Sequence, residues 1–148
     1  MLQDKLCNER LSPHFTYGEL TRTSQTAYKF VNPMFAKRYI NNLILLANYL
    51  LEPARAILKT PLIITSGYRC YALNKEIGGS KNSQHLNATA ADFIIKDNNL
   101  PLENIFIKLK DSPFLNYGQL ILERSWIHLS LGAPFRSLSK CRDSFKIL

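Results

Sequence analysis

The chain has 148 residues, enough for one hydrophobic core and not two, so a single domain is expected over 1–148 with its core at about 15–135. Hydrophobic residues make up 46% and charged residues 20%, the balance of a folded domain and far from that of a disordered chain. Lys plus Arg number 19 against 11 Asp plus Glu, a formal net charge of +8 that points to an anionic partner.

The longest apolar stretch, Leu43 to Leu51, is broken by Asn48 and falls well short of the roughly 20 residues that cross a bilayer, so no membrane insertion is expected. The N-terminal run MLQDKLCNER carries Asp4, Lys5, Glu9 and Arg10 and no apolar core of a secretory signal, which predicts synthesis in the cytoplasm without a signal peptide. Cys7, Cys70 and Cys141 form no CxxC pair and read as reduced, structural thiols. The basic residues are scattered, with no Arg-rich helix, zinc-finger spacing or aromatic RNA-binding motif, so no specific nucleic-acid partner is expected. A monomer is the expected state.

The first dozen residues read as poorly organised. Asn32-Pro33 reads as a helix start, with Asn as the cap and Pro in the first turn. Phe35, Tyr39, Leu43, Leu46 and Leu50 then recur at spacings of three and four, the stripe of a helix with one buried face. Pro53 predicts a kink or restart near Glu52 before the helix runs on to about Leu58. Leu62 to Thr65 is a strand ended by Ser66-Gly67, and Tyr71 to Ile77 a short helix stopped by Gly78-Gly79. Ala90 to Lys96 is a second strand, with Asp92 on one face and Phe93 and Ile95 on the other. Pro101 to Leu109 is a short helix with Asn98 or Asn99 available as a cap, and GQLILERSWIHLSL is a hairpin turning at Arg124-Ser125. The run from Arg136 to Lys146 is short and basic. Helices that precede and interrupt a small, mostly antiparallel sheet predict an α+β fold.

His85 lies in a polar, Gly-containing approach to a strand, His128 in the middle of an apolar strand, and Asp92 inside ATAADFII. Buried carboxylates and buried charged imidazoles are costly without partners. Taken singly, Asp92 could accept backbone N–H bonds, His128 could be a hydrogen-bonded core residue and His85 could be solvated. One divalent cation would resolve all three, and two imidazoles with one carboxylate make the ligand set of a catalytic zinc with its fourth position open.

The run Ser83-Gln84-His85-Leu86-Asn87-Ala88-Thr89-Ala90-Ala91-Asp92 resembles the S-x-H-x-x-G-x-A-x-D motif of zinc D-alanyl-D-alanine carboxypeptidases and related phage peptidoglycan endopeptidases. Ser66-Gly67-Tyr68-Arg69, Leu73-Asn74 and Gly78-Gly79-Ser80 are similar to the segment before that motif, and Trp126-Ile127-His128 to the family's W-x-H. The likeness runs from about Phe15 to Ser130 and includes the turn Leu51-Glu52-Pro53-Ala54-Arg55. It implies a fold of the Hedgehog and DD-peptidase type, one Zn2+ held by His85, Asp92 and His128, and Arg69 as holder of a substrate carbonyl or carboxylate and stabiliser of the oxyanion. It also implies a peptidoglycan peptide substrate, in the stem or the cross-link. Tyr68, Ser83, Gln84 and Trp126 are the expected substrate-binding residues.

Two positions depart from the pattern. Ala88 stands where the motif has glycine, and Ser125 stands where many relatives carry their general base, a glutamate three residues before the last histidine. Glu123 is the alternative base. If Arg124 and Ser125 form the turn, Glu123 faces Trp126 and Ile121 faces His128, so that Glu123, Trp126 and His128 share a face of the hairpin; a one-residue bulge would turn Glu123 away. The expected activity is zinc-dependent hydrolysis of a peptide bond, by a phage or prophage enzyme released at lysis or carried in a virion. A catalytically inactive zinc-binding module of the same fold that binds cell wall is the other reading, kept open by Ser125.

Overall fold

The computed structural model describes residues 2–96, 99–132 and 145–147. The leucine stripe builds the helical layer: Leu43, Leu46, Leu50, Leu51 and Leu58 are buried along α4 (Ile40–Leu46), a wide π-turn (Ala47–Leu51) and α5 (Glu52–Leu58). The π-turn is the chain's answer to Pro53. Proline has no N–H to give, and the wider turn, closed by the Glu52 N–H on Ala47 O, sets it in the first turn of α5, where none is needed. The helix therefore restarts at Glu52, as the sequence predicts.

Its beginning differs from expectation. The helix α3 (Val31–Ala36) starts before Asn32, which caps nothing and is wholly buried. A 3-10 turn, Lys37–Tyr39, then separates α3 from α4. Such a turn advances about 120° per residue instead of about 100°, so the apolar stripe is out of phase across it. Phe35, expected on the buried face, is 38% exposed.

The N-terminus is better organised than its composition suggests. Residues Leu2–Cys7 form α1, Arg10 and Thr16 bridge, and Leu6 and Leu11 join the core. Next comes α2 (Tyr17–Thr21), opened by a capping box: Glu19 N–H donates to Thr16 Oγ1 at 3.3 Å and Thr16 N–H to Glu19 Oε2 at 2.8 Å. The T-x-x-E spacing was visible in the sequence.

Strands β1 (Leu62–Ser66), β2 (Ala90–Ile95), β3 (Gln119–Leu122), β4 (Ile127–Ser130) and β5 (Phe145–Ile147) form one sheet in the order β1-β2-β4-β3-β5. All neighbours are antiparallel except β5, which runs parallel to β3, so the fold is α+β as expected. Strand alternation divides the sheet cleanly. Leu62, Ile64, Ala91, Phe93, Ile95, Leu120, Leu122, Ile127 and Leu129 face the helices, while Asp92, Ile121 and His128 face the other way.

The helix α6 (Tyr71–Glu76) ends at Gly78, whose φ of +73° is the left-handed geometry that glycine supplies without strain. The helix α7 (Leu102–Asp111) packs on α5 and β3. Its N-cap is Pro101, with no side-chain cap, and Asn98 lies outside the described residues. Cys7 and Cys70 are free thiols; Cys141 and most of the run Arg136 to Lys146 lie outside the described residues. No described helix is long and apolar enough to cross a membrane.

Candidate metal centre

Asp92 and His128 are directly opposed partners in the β2–β4 ladder, so their side chains leave the sheet together on its outer face. His85 reaches the same point from a 3-10 turn, Gln84–Asn87, begun by Ser83, whose hydroxyl accepts from the His85 N–H at 3.3 Å. Ala88 closes that turn with φ +57°. The motif's glycine suits a left-handed residue, and here an alanine takes that conformation.

The segment after β1 holds His85 from the other side. Gly67 lets the chain pass close to α2: Tyr68 N–H donates to Leu20 O at 2.7 Å, and a Cβ on Gly67 would stand 2.2 Å from that oxygen. Gly67 O in turn accepts from His85 Nδ1 at 2.7 Å, and Arg69 N–H donates to His85 O at 3.1 Å. With its proton on Nδ1, the His85 ring turns a bare Nε2 lone pair inward.

Three atoms meet there. Asp92 Oδ1 lies 2.8 Å from His128 Nδ1 and 3.3 Å from His85 Nε2, and the two ring nitrogens are 3.3 Å apart. Two imidazole lone pairs and a carboxylate oxygen facing one another repel unless a proton or a cation lies between them. Ligands about 2.0–2.1 Å from a tetrahedral zinc stand about 3.3 Å from one another, so the trio fits a divalent ion closely. His85 is 2% exposed, and its burial pushes the imidazolium pKa down, which Asp92 only partly offsets, so the ring favours the neutral, ligating form. Burial pushes the Asp92 carboxyl up, but the adjoining His128 and His85 rings outweigh it and hold the group ionised well below the usual carboxylate range.

The trio lies in an open cleft of 560 Å³, with Arg69, Glu123, Trp126, Ser83 and Gln84 on its walls. Glu123 arrives there by the hairpin register. Ile121 pairs with His128, Leu122 with Ile127, and the Glu123 N–H donates to Trp126 O at 3.0 Å, so Arg124 and Ser125 form the turn without a bulge. Ser125 is exposed at the tip and does not line the cleft. Burial lowers the Arg69 pKa from its ordinary value and nearby Asp92 opposes this. Arg69 Nε and Gln84 Oε1 are buried without a hydrogen-bond partner among the described residues, a donor and an acceptor left over for a ligand.

Tyr68 corrects an expectation. It is 4% exposed and lines not this cleft but a neighbouring groove, with its ring 5.4 Å from that of Tyr39. In extended backbone adjacent side chains point opposite ways, so with Arg69 in the cleft its neighbour turns away. Burial pushes the Tyr68 phenol up to about 12. Ser80, from the Gly78-Gly79-Ser80 run, also lines the cleft, as do Asn82 and Gln119, which the sequence did not single out. Gln119 was readable, since it stands two residues before Ile121 on the same strand face.

Two imidazoles and a carboxylate converging on one point in an open cleft, with a guanidinium and a second carboxylate on its walls, define a metal-dependent hydrolase site on an α+β scaffold. The family model described as Peptidase M15 matches residues 13–130, and the chain belongs to the M15 peptidase family, whose members are metallopeptidases, typically with zinc. No curated protein matches the chain.

Proposed function

We propose that this protein hydrolyses peptide bonds in the stem or cross-link of bacterial peptidoglycan, using one Zn2+ held by His85, Asp92 and His128. The observation that carries the reading is the convergence of those three ligand atoms in the cleft shared with Arg69 and Glu123. A bound divalent ion supplies Lewis-acid polarisation and acidifies water there. Arg69, its backbone locked to His85 and its Nε without a hydrogen-bond partner among the described residues, donates to the carbonyl oxygen of the scissile bond as charge develops on it. Glu123 takes a proton from the attacking water and delivers it to the leaving amine. Gln84 and Trp126 orient the peptide along the cleft, and Ser83 holds the turn that presents His85. The charge of +8 supports encounter with an anionic wall, and release at phage lysis or carriage in a virion is the route we propose to it.

The exposed Ser125, where many relatives carry their base, favours the second reading, a silent wall-binding module. Mass spectrometry of muropeptides released with and without chelator separates the two. Chelator-sensitive cleavage that is absent from His128→Ala is expected, and a wild type that releases nothing would end the enzymatic reading.

A further inference from the structure

The helix α3 lacks the polar outer face that a surface helix normally shows. Its inner side buries Asn32, Pro33 and Ala36, while Val31, Met34 and Phe35 are 36%, 55% and 38% exposed and Phe30, at its N-cap, 72%. Three exposed cations, Lys29, Lys37 and Arg38, flank these side chains. We propose that this face is a docking surface for an anionic lipid membrane, on which the protein lies without crossing it.

Phe30 and Met34 stand one helical turn apart, as do Val31 and Phe35, so the four exposed side chains share one side of α3. The 3-10 turn Lys37–Tyr39 keeps Phe35 out of the buried stripe. Arg38 lies over the Phe35 ring, its guanidinium carbon 5.5 Å from the ring centroid, so a cation sits directly on the apolar surface. Val31 and Phe35 also border the neighbouring groove of 460 Å³, where Tyr71, 65% exposed, extends the same surface. So many large apolar side chains in water call for a cover.

Charge names that cover. From Leu20 to Leu51 the chain has no Asp or Glu, although it has Arg22, Lys29, Lys37 and Arg38, so all 11 acids lie elsewhere in the sequence. Glu76 does reach this segment, accepting from Tyr28 OH at 2.6 Å, but one carboxylate leaves the cations in excess. Anionic lipid offers phosphates at the level of the cations and an acyl boundary beneath them for Phe30 and Met34. A lipid surface gives way to a protruding ring, whereas a protein partner must be shaped for it. Neither Phe30 nor Met34 lines the metal cleft, so the docking draws on no catalytic residue and does not depend on the peptidase reading.

The test is co-sedimentation of the full chain with vesicles of phosphatidylcholine, with and without an equal part of phosphatidylglycerol. Wild type is expected to bind the anionic vesicles only. Phe30→Ser combined with Met34→Ser should weaken that binding at least tenfold, the scale of one large apolar side chain withdrawn from lipid. Lys37→Gln and Arg38→Gln should each weaken it about fivefold, and Lys59→Gln with Lys108→Gln, on other helices, by less than twofold. The altered side chains are exposed, so melting temperatures should match wild type, and a matched melting curve shows that any loss comes from the surface. Absence of vesicle binding overturns the proposal. So does binding that survives Phe30→Ser with Met34→Ser, or that falls equally with Lys59 and Lys108, since either result reduces it to the general charge of the protein. Sedimentation velocity tests the rival cover: self-association that Phe30→Ser abolishes would assign the face to a second copy of the chain and overturn the lipid assignment.

Discussion

Asn32 grips the backbone on both sides of Arg69. Its Nδ2 donates to Tyr68 O at 2.9 Å and its Oδ1 accepts from Cys70 N–H at 2.7 Å, while the second Nδ2 hydrogen reaches Thr21 O at 2.7 Å. A wholly buried amide thus ties α2, α3 and the Arg69 segment together with its donors and acceptor all in use. Replacing it by alanine strands two carbonyls and one N–H, and Asn32→Ala should cost about 3 kcal/mol in chemical denaturation. Asn32→Asp keeps the shape but sets a carboxylate oxygen against two carbonyls, and should lose at least as much. A stable Asn32→Asp would show that shape alone matters.

Removing a ligand should remove the ion. His128→Ala is expected to bind less than a tenth of the zinc that wild type retains after dialysis, measured by elemental analysis. The metal should raise the melting temperature of wild type, because a ligand that binds only the native state stabilises it, and should leave His128→Ala unmoved. Equal zinc content in both proteins would remove His128 from the site.

Glu123→Gln separates proton transfer from metal binding. The amide fills the same space at the cleft wall but cannot take a proton. Zinc content should stay intact while kcat on muropeptides falls about 10²–10⁴-fold, the range of general-base catalysis. Activity within a few-fold of wild type would return the role to another group.

Glu52 anchors the N-terminal segment to α5 and should make stability depend on acid pH. It accepts from Ser12 Oγ at 2.6 Å and from His14 N–H and Nδ1, each at 2.8 Å. Burial pushes its carboxyl up, but those bonds win and hold it below its ordinary value of 4.5. The unfolded chain therefore takes up the proton first as pH falls. The stabilisation is complete above 4.5 and is lost as pH drops through the lower, folded value. Between pH 7 and pH 3, Glu52→Gln should lose less stability than wild type in urea titrations; parallel curves would refute the anchor.

Much of the site was legible because it rests on local rules. Strand alternation sends Asp92, His128 and Glu123 to one side of the sheet once the register is known, and the two-residue turn at Arg124-Ser125 sets that register. Polar residues out of place in apolar runs single out His85, Asp92 and His128, which the structure brings together. Phe35 leaves the buried face because a three-residue 3-10 turn shifts the phase of the helical stripe, and nothing in the apolar spacing announces it. Tyr68 lies in the neighbouring groove, since a motif names neighbours without saying which way each one points.

From the sequence alone came the α+β class, the restart at Glu52, the candidate trio His85, Asp92 and His128, and the hairpin face that carries Glu123, all encoded by periodicity and by residue types out of place. Only the tertiary structure turned Asn32 from a helix cap into the clamp on Arg69, brought the N-terminal helix onto the core, and tied Arg22 to Ile64 of β1. Those contacts join residues 38 apart for Asn32 and Cys70 and 42 apart for Arg22 and Ile64. Local pattern says which face of an element is buried, but which distant chain meets it is decided by packing, where the only route to a low energy is to satisfy every buried donor and acceptor at once.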